Sequence, residues 1–169
     1  MAKTYKALTD EIKRFILEQK LFFVGTSPID EGEINVSPKG YNTLRIIDNN
    51  RIIYLDYHGS GNRTADHLDE NGRITLMWCS FDEQASIIRV FGEGKVISKE
   101  TELFQELSHQ YYDNFNQAIV RQLFDVEIIK VESSCGWGVP HMTFAGERPK
   151  LHDTSMKAFT TAKPIVLEE

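Results

Sequence analysis

The stretch that decides the fold lies in the first half of the chain and comprises Tyr54-Leu55-Asp56-Tyr57-His58-Gly59-Ser60-Gly61-Asn62-Arg63-Thr64-Ala65-Asp66-His67-Leu68. Its first four residues predict the end of a strand, and its last five predict the first turns of a short helix. Between these elements, Gly59 and Gly61 permit a close approach of the backbone to a ligand. A strand, a loop and a helix in this order leave unpaired N–H groups at the start of the helix, and these favour an anion.

The side chains of this loop support two interpretations. Ser60, Asn62 and Thr64 carry hydrogen-bond donors, and the guanidinium of Arg63 is suited to grip a phosphate. Alternatively, Asn and Ser in this position simply cap the helix, and the residues taken alone favour that interpretation. The stretch contains neither the GK[ST] ending of a P-loop nor the GxGxxG of a dinucleotide site, so both of those motifs are excluded.

The residues on either side predict mostly strands. Thr9 is suited to cap a first helix, and Ser98 a later one. Extended segments are predicted at 21–26, 33–40, 51–57, 73–81, 86–97, 126–131 and 137–144, with helices at 64–70 and 116–123. Long helices do not alternate with these strands, so a doubly wound sheet is excluded. We therefore expect a small antiparallel β-barrel with helices, mainly β or α+β in class.

The composition bounds the class of protein. The 169 residues are 41% hydrophobic and 26% charged, and their net charge of −6 disfavours nucleic acid and anionic membranes as partners. We expect one domain over residues 1–169, with a tail from 149, in a cytoplasmic protein. The two cysteines lack CxxC spacing and the five histidines are scattered, so no metal site is predicted.

At this point the chain resembles a known family, the pyridoxamine 5'-phosphate oxidase-like FMN-binding split barrels. The stretch around this loop resembles the phosphate-binding strand, loop and helix of that family. The similarity continues into the sequence that follows, Glu70-Asn71-Gly72-Arg73-Ile74-Thr75-Leu76-Met77. Ile34 to Gly40 resembles the strand that runs beside the flavin. Residues 132–140 and 144–148 are similar to an uncharacterised subgroup. The resemblance spans about residues 8–153 and implies a six-stranded antiparallel split β-barrel.

What the resemblance implies for function is a homodimer with two FMN sites at the subunit interface. The cofactor-binding residues would then be Ser37, Pro38, Lys39, Gly40, Tyr57, Ser60, Gly61, Asn62, Arg63 and Thr64, with Trp137 and Arg148 reaching the flavin of the partner. Simpler interpretations remain open for three of them. Lys39 would then be a solvated lysine on an edge strand, Trp137 would be an aromatic residue of the core, and Arg148 would form an ion pair at the surface.

The chain departs from the true oxidases where those enzymes hold their vitamin substrate. Residues 108–115 lack the Arg and Ser set of the family, and Lys150 and Thr154 stand where Arg residues are expected. Neither replaces a bidentate Arg contact, so pyridoxamine phosphate is not the expected substrate. The sequence predicts an FMN-dependent oxidoreductase that acts on an unidentified small molecule, with no catalytic residue assigned. The alternatives are a flavin-binding or flavin-sensing module without turnover, and haem or deazaflavin binding in the same cleft.

Overall fold

Antiparallel strands supply most of the regular secondary structure in the computed structural model, which describes residues 2–59 and 61–150. These ranges contain eight strands, three α-helices and one 3-10 turn. In chain order they are β1 (Lys3–Tyr5), α1 (Asp10–Glu18), β2 (Phe22–Thr26), β3 (Asn35–Lys39), β4 (Leu44–Ile46), β5 (Arg51–Tyr57), α2 (Arg63–Asn71), β6 (Arg73–Cys79), β7 (Ser86–Ser98), α3 (Glu102–Tyr111), the 3-10 turn (Gln117–Ile119) and β8 (Val120–Cys135).

The strands form one antiparallel sheet in the order β3-β2-β6-β7-β8-β5-β4, and β1 pairs with β8 off this path. The two longest strands, β7 and β8, curl the sheet, and their pairing shifts at Phe91/Gly92. A side chain at Gly92 would lie 2.5 Å from the Glu127 carbonyl oxygen, so only glycine fits this bulge. The antiparallel split-barrel class is confirmed, but eight strands replace the predicted six. The two three-residue strands β1 and β4 are too short to leave a pattern in the sequence.

Strand β5, second from the β4 end of the sheet, separates two hydrophobic clusters because its side chains alternate between its faces. Ile52 and Tyr54 belong to the cluster enclosed by the sheet and α1. Ile53, Leu55 and Tyr57 belong to the second cluster, which is covered by α3. A strand buried on both faces is apolar over most of its length, here from Ile52 to Leu55, and this run makes the strand at 51–57 predictable from the sequence.

Local signals placed two of the three α-helices correctly. Thr9 caps α1 by accepting a hydrogen bond from the Ile12 N–H at 3.3 Å. Gly72 ends α2 with a φ of 68°, a left-handed conformation that favours glycine. The prediction for Ser98 was wrong, because that residue ends β7 and Thr101 caps α3 through the Phe104 N–H at 3.2 Å. Within the described ranges, none of the helices is long and apolar enough to cross a bilayer.

Two predictions near the C-terminus were also wrong. The helix expected at 116–123 is a single 3-10 turn, because Val120 to Leu123 already pair with β5. The strand expected at 137–144 is irregular instead, and Trp137 is 86% exposed. Gly138 and Pro140 favour neither a ladder nor a helix, so nothing local holds this segment in a sheet. Thr154, one of the two positions where the family has an Arg, lies outside the described residues.

Candidate ligand site

A cleft of about 360 Å³ opens where β3, β5 and the start of α2 meet. Nine of the twelve predicted residues line it: Ser37, Pro38, Lys39, Gly40, Tyr57, Gly61, Asn62, Arg63 and Thr64. Ser60 lies outside the described residues, and Trp137 and Arg148 do not line the cleft. The fold therefore brings together two segments, 37–40 and 57–64, whose nearest members Gly40 and Tyr57 lie 17 positions apart in the chain. Their role in binding stays a prediction.

The lining also contains residues that the sequence did not single out, namely Asn35, Tyr41, Thr43, Leu55, Asp56 and Phe124. Asp56 had a detectable signal, since a carboxylate within an apolar strand is rarely buried without a partner. Asn35 and Tyr41 lie on either side of the segment 37–40, which the sequence did predict as part of the site. Leu55 and Phe124 carried no signal, because an apolar residue of a wall and one of a core look alike in a sequence.

Among the residues that the structure describes, no side chain caps the first turn of α2. Asn62 occupies the N-cap position but makes no cap hydrogen bond. Its Oδ1 accepts instead from Gln122 Nε2 at 2.8 Å and from the Arg121 guanidinium at 3.1 Å. Thr9 and Thr101 do cap α1 and α3. The simple capping interpretation is therefore wrong for Asn62, and the N–H groups at the start of α2 are left without a side-chain acceptor beside the cleft.

Arg121 of β8 holds the loop before α2. One guanidinium nitrogen donates to the Gly61 carbonyl at 2.7 Å, and the other donates to the Gly59 carbonyl at 2.8 Å. A planar guanidinium suits this task because its N–H groups diverge in one plane. Arg121 thus fixes the course of the loop by holding its carbonyl oxygens. Sequence reasoning missed it because its partners lie about 60 positions earlier in the chain.

A cluster of charged residues lies at the cleft beside this loop. Lys39 Nζ lies 3.2 Å from Asp56 Oδ1, and Gln122 Nε2 donates to Asp56 Oδ2 at 3.1 Å. Arg121 also reaches Asp56 Oδ2 at 3.9 Å. Lys39 is therefore not the freely solvated lysine of an edge strand, although β3 is an edge strand. Two cations face one carboxylate, so the cluster carries an excess positive charge that favours an anionic ligand.

A second ion pair joins Arg63 to Glu33 at the cleft. Both side chains are well exposed, at 58% and 76%. An exposed pair of this kind contributes about 0–1 kcal/mol, so the interaction is easily exchanged. A phosphate that reaches Arg63 would therefore have to displace only a weakly held carboxylate.

Aromatic and aliphatic side chains form another part of the wall. Tyr41 and Tyr57 meet edge to face, with ring centroids 6.1 Å apart. Burial, followed by the proximity of Tyr41, raises the pKa of Tyr57 to about 12, so this phenol stays neutral. Tyr41 has a left-handed φ of 60°, and the following turn is held by Arg45, which donates to the Asn42 carbonyl at 2.7 Å. The cleft thus combines hydrogen-bond donors and positive charge with an aromatic surface.

The two residues predicted to reach a partner's flavin lie outside the cleft. Trp137 is 86% exposed, so the alternative of a core aromatic is wrong. The Arg148 carbonyl accepts a hydrogen bond from the Tyr41 hydroxyl, which ties the segment after β8 to the cleft wall. Among the described residues the Arg148 side chain forms no ion pair, and its action in a partner subunit stays a prediction.

Comparison with known proteins agrees with this architecture. A pyridoxamine 5'-phosphate oxidase family protein of Aspergillus flavus is 37% identical over 145 residues, which cover 80% of this chain and 55% of the relative. The chain thus spans about half the length of that relative. A variant of HupZ from Group A Streptococcus superimposes with a TM-score of 0.60 at 18% identity, covering 75% of this chain and 98% of HupZ. An FAD binding protein from Mycobacterium smegmatis superimposes with a TM-score of 0.52 at 10% identity, covering 77% and 97%.

At these low identities the two solved structures support the fold alone. The family is shown separately, by a match over most of the chain. Residues 8–137 match the sequence pattern described as pyridoxamine 5'-phosphate oxidase, and the chain therefore belongs to that family, with its split-barrel fold.

Proposed function

We propose that this protein binds FMN in the cleft, with the phosphate at the start of α2. The uncapped first turn of α2 carries this proposal. A helix start whose N–H groups meet no side-chain acceptor among the described residues, next to the cations Arg63 and Lys39, is a favourable place for a phosphate dianion. Arg121 supports it indirectly, because it occupies the loop carbonyls that would otherwise repel an anion.

The size and the chemistry of the cleft fit such a ligand. Its volume of about 360 Å³ falls within the range of roughly 300–1,000 Å³ typical of small-molecule sites. Tyr41, Leu55 and Phe124 offer apolar surface to a flat heteroaromatic ring, while the start of α2 offers donors to a phosphate. The family membership and the FAD binding protein of the same fold make a flavin the natural candidate, and FAD is the competitor to test.

We further propose that the protein is a flavin-dependent oxidoreductase acting on a small molecule other than pyridoxamine phosphate. A bound flavin would supply the electron transfer itself. The residues of this chain would bind and orient it, and the excess positive charge of Lys39 and Arg121 over Asp56 would stabilise negative charge on the ligand. Binding or sensing of flavin without turnover is the second candidate, because the same cleft would hold the flavin in either case.

We propose a homodimer as the working state. The outward face of β3, β2, β6, β7 and β8 is apolar and open, with Ile34, Val36 and Ile129 between 65% and 76% exposed. Ile34 and Ile129 border a shallow groove of about 570 Å³ across this face. A second copy would remove this surface from water, which favours association. Sedimentation velocity tests it, and a monomer at all micromolar concentrations would refute it.

Titration of the purified protein with FMN, FAD and riboflavin tests the central proposal. Quenching of flavin fluorescence should yield the tightest dissociation constant for FMN. A Soret band after haem addition, with no flavin binding, would identify haem as the ligand, and the same experiment with a deazaflavin checks the third cofactor class. A protein that binds none of the flavins refutes the proposal. Stopped-flow reduction of the bound flavin by NADH or NADPH then distinguishes an enzyme from a binding module.

A further inference from the structure

A continuous set of hydrogen bonds connects the wall of the cleft to the interior of the barrel. Asn35 Nδ2 donates to Thr64 Oγ1 at 3.1 Å and to Thr26 Oγ1 at 3.2 Å. Thr26 Oγ1 in turn lies 3.0 Å from His67 Nδ1. Asn35 and Thr64 line the cleft, whereas Thr26 and His67 do not and are only 4% and 8% exposed. The outer pair can thus contact a ligand, and the inner pair lies behind it.

Counting hydrogen atoms shows what each group can still offer to a ligand. The two amide hydrogens of Asn35 are both used, one for each threonine. Thr26 accepts from Asn35, so its own hydrogen is available for His67 Nδ1, provided that this nitrogen is unprotonated. Thr64 likewise accepts from Asn35 and keeps its hydrogen. Among the described residues, no donor contacts Asn35 Oδ1.

We propose that Thr26 and His67 are positioning residues that fix which atoms Asn35 and Thr64 present to the ligand. This inference rests on the proposed binding of FMN in the cleft. With His67 neutral and protonated on Nε2, the Asn35 amide is locked so that its carbonyl oxygen is an acceptor for the ligand. The Thr64 hydroxyl is then free to act as a donor.

This arrangement selects a class of ligand. An acceptor and a donor side by side fit a chain that carries a hydroxyl group next to a phosphate, as a phosphorylated polyol does. A proton on His67 Nδ1 would instead donate to Thr26 Oγ1, which would leave the Thr26 hydrogen and one lone pair available and would no longer fix the orientation of the Asn35 amide. The Asn35 amide would then be free to turn its NH₂ group toward the cleft, because Thr26 could donate to Asn35 Oδ1 as well as accept from Asn35 Nδ2. The two arrangements predict different tautomers of one histidine.

The tautomer can be measured without any change to the binding site. Long-range ¹H–¹⁵N correlation spectra of the wild-type protein at neutral pH distinguish a ring protonated on Nε2 from one protonated on Nδ1. The signals of His67 are assigned by their loss in His67→Asn. We expect the Nε2 tautomer, with Nδ1 unprotonated. A neutral ring protonated on Nδ1, or a doubly protonated ring, would overturn the proposal.

A double-mutant cycle tests whether the inner pair acts through Asn35. Asn35→Ala should weaken FMN binding about 3- to 12-fold, which is the change in dissociation constant expected for the loss of one neutral hydrogen bond. Thr26→Val, which is nearly isosteric, should weaken it about 2- to 5-fold in the wild type but not measurably in the Asn35→Ala background. Thr26→Ser retains the hydroxyl and should restore wild-type affinity.

The outcomes separate this inference from the proposed function. If the wild type does not bind FMN, the proposed function fails. If FMN binds but Thr26→Val weakens binding equally with and without Asn35, or not at all, the positioning role fails and the proposed function stands. Thermal unfolding of each ligand-free variant identifies any loss that comes from misfolding, and the tautomer measurement decides the proposal in that event.

Discussion

The ion pair between Arg63 and Glu33 leads to a quantitative prediction for phosphate binding. A charged hydrogen bond from Arg63 to a phosphate is worth about 1.5–3 kcal/mol. The exposed pair with Glu33, which the phosphate would displace, is worth about 0–1 kcal/mol. The net contribution of Arg63 is then about 0.5–3 kcal/mol. Arg63→Ala should accordingly weaken FMN binding about 2- to 160-fold at low ionic strength.

The same competition predicts the opposite effect at the partner residue. Glu33→Gln removes the carboxylate that occupies Arg63 and also a negative charge near the incoming phosphate. It should tighten FMN binding by up to about 5-fold, the worth of one exposed ion pair. In an Arg63→Ala background most of this gain should disappear, because the displaced partner is already absent.

Fluorescence titration with FMN and with riboflavin measures both effects, since riboflavin lacks only the phosphate. Neither substitution should change riboflavin affinity by more than about 2-fold. Raising the salt concentration should reduce the difference in FMN affinity between the wild type and Arg63→Ala, because exposed charges are screened. Equal losses for FMN and riboflavin in Arg63→Ala would refute the assignment of the phosphate to this end of the cleft.

Three further predictions concern residues around the site and the core. Arg121→Ala should release the carbonyls of Gly59 and Gly61 and weaken FMN binding by about 10-fold or more. Arg121→Lys should not restore the affinity, because one ammonium group cannot reproduce the planar arrangement of the guanidinium N–H groups. Hydrogen exchange of the loop amides tests whether the loop is released, and unchanged exchange would contradict this explanation. Tyr54 carries a fully buried hydroxyl that has no hydrogen-bond partner among the described residues. Tyr54→Phe should therefore leave the free energy of unfolding, measured by urea denaturation, unchanged or raise it by up to about 1 kcal/mol. A clear decrease in the free energy of unfolding would contradict this prediction. Burial, followed by the charges of Arg121 and Lys99, lowers the pKa of His58 below its usual 6.5. The unfolded chain therefore binds the proton more tightly, and His58 should lower the free energy of unfolding as the pH falls below about 6.5. An NMR titration of the folded protein that gives a pKa above 6.5 would refute this prediction.

Much of the fold could be predicted because its signals are local. The cap at Thr9, the left-handed Gly72 and the run of apolar residues in β5 each depend on a few neighbouring positions. Prediction failed where a distant partner decides the outcome. Val120 to Leu123 have a helical pattern of their own, but pairing with β5 makes them a strand.

The candidate site divides in the same way. Ten of its lining residues belong to two short segments, 37–40 and 57–64, which are recognisable from glycines, hydroxyls and cations close together in the chain. The contacts that complete the site were not recognisable. Thr26, Asn35 and His67 belong to three different elements, and the hydrogen bonds between them exist only because β2 pairs with both β3 and β6 and packs against α2.

The amino-acid sequence by itself determined the order of strand, loop and helix at 54–68, the antiparallel class, and the donors available for an anion. Only the tertiary structure decided that Asn62 leaves the start of α2 uncapped, because the residues that occupy its side chain, Arg121 and Gln122, come from β8. The register that places Gln122 opposite Asp56 sets these contacts. Strand register depends on the packing of both faces of the whole sheet, and no short stretch of sequence contains that information.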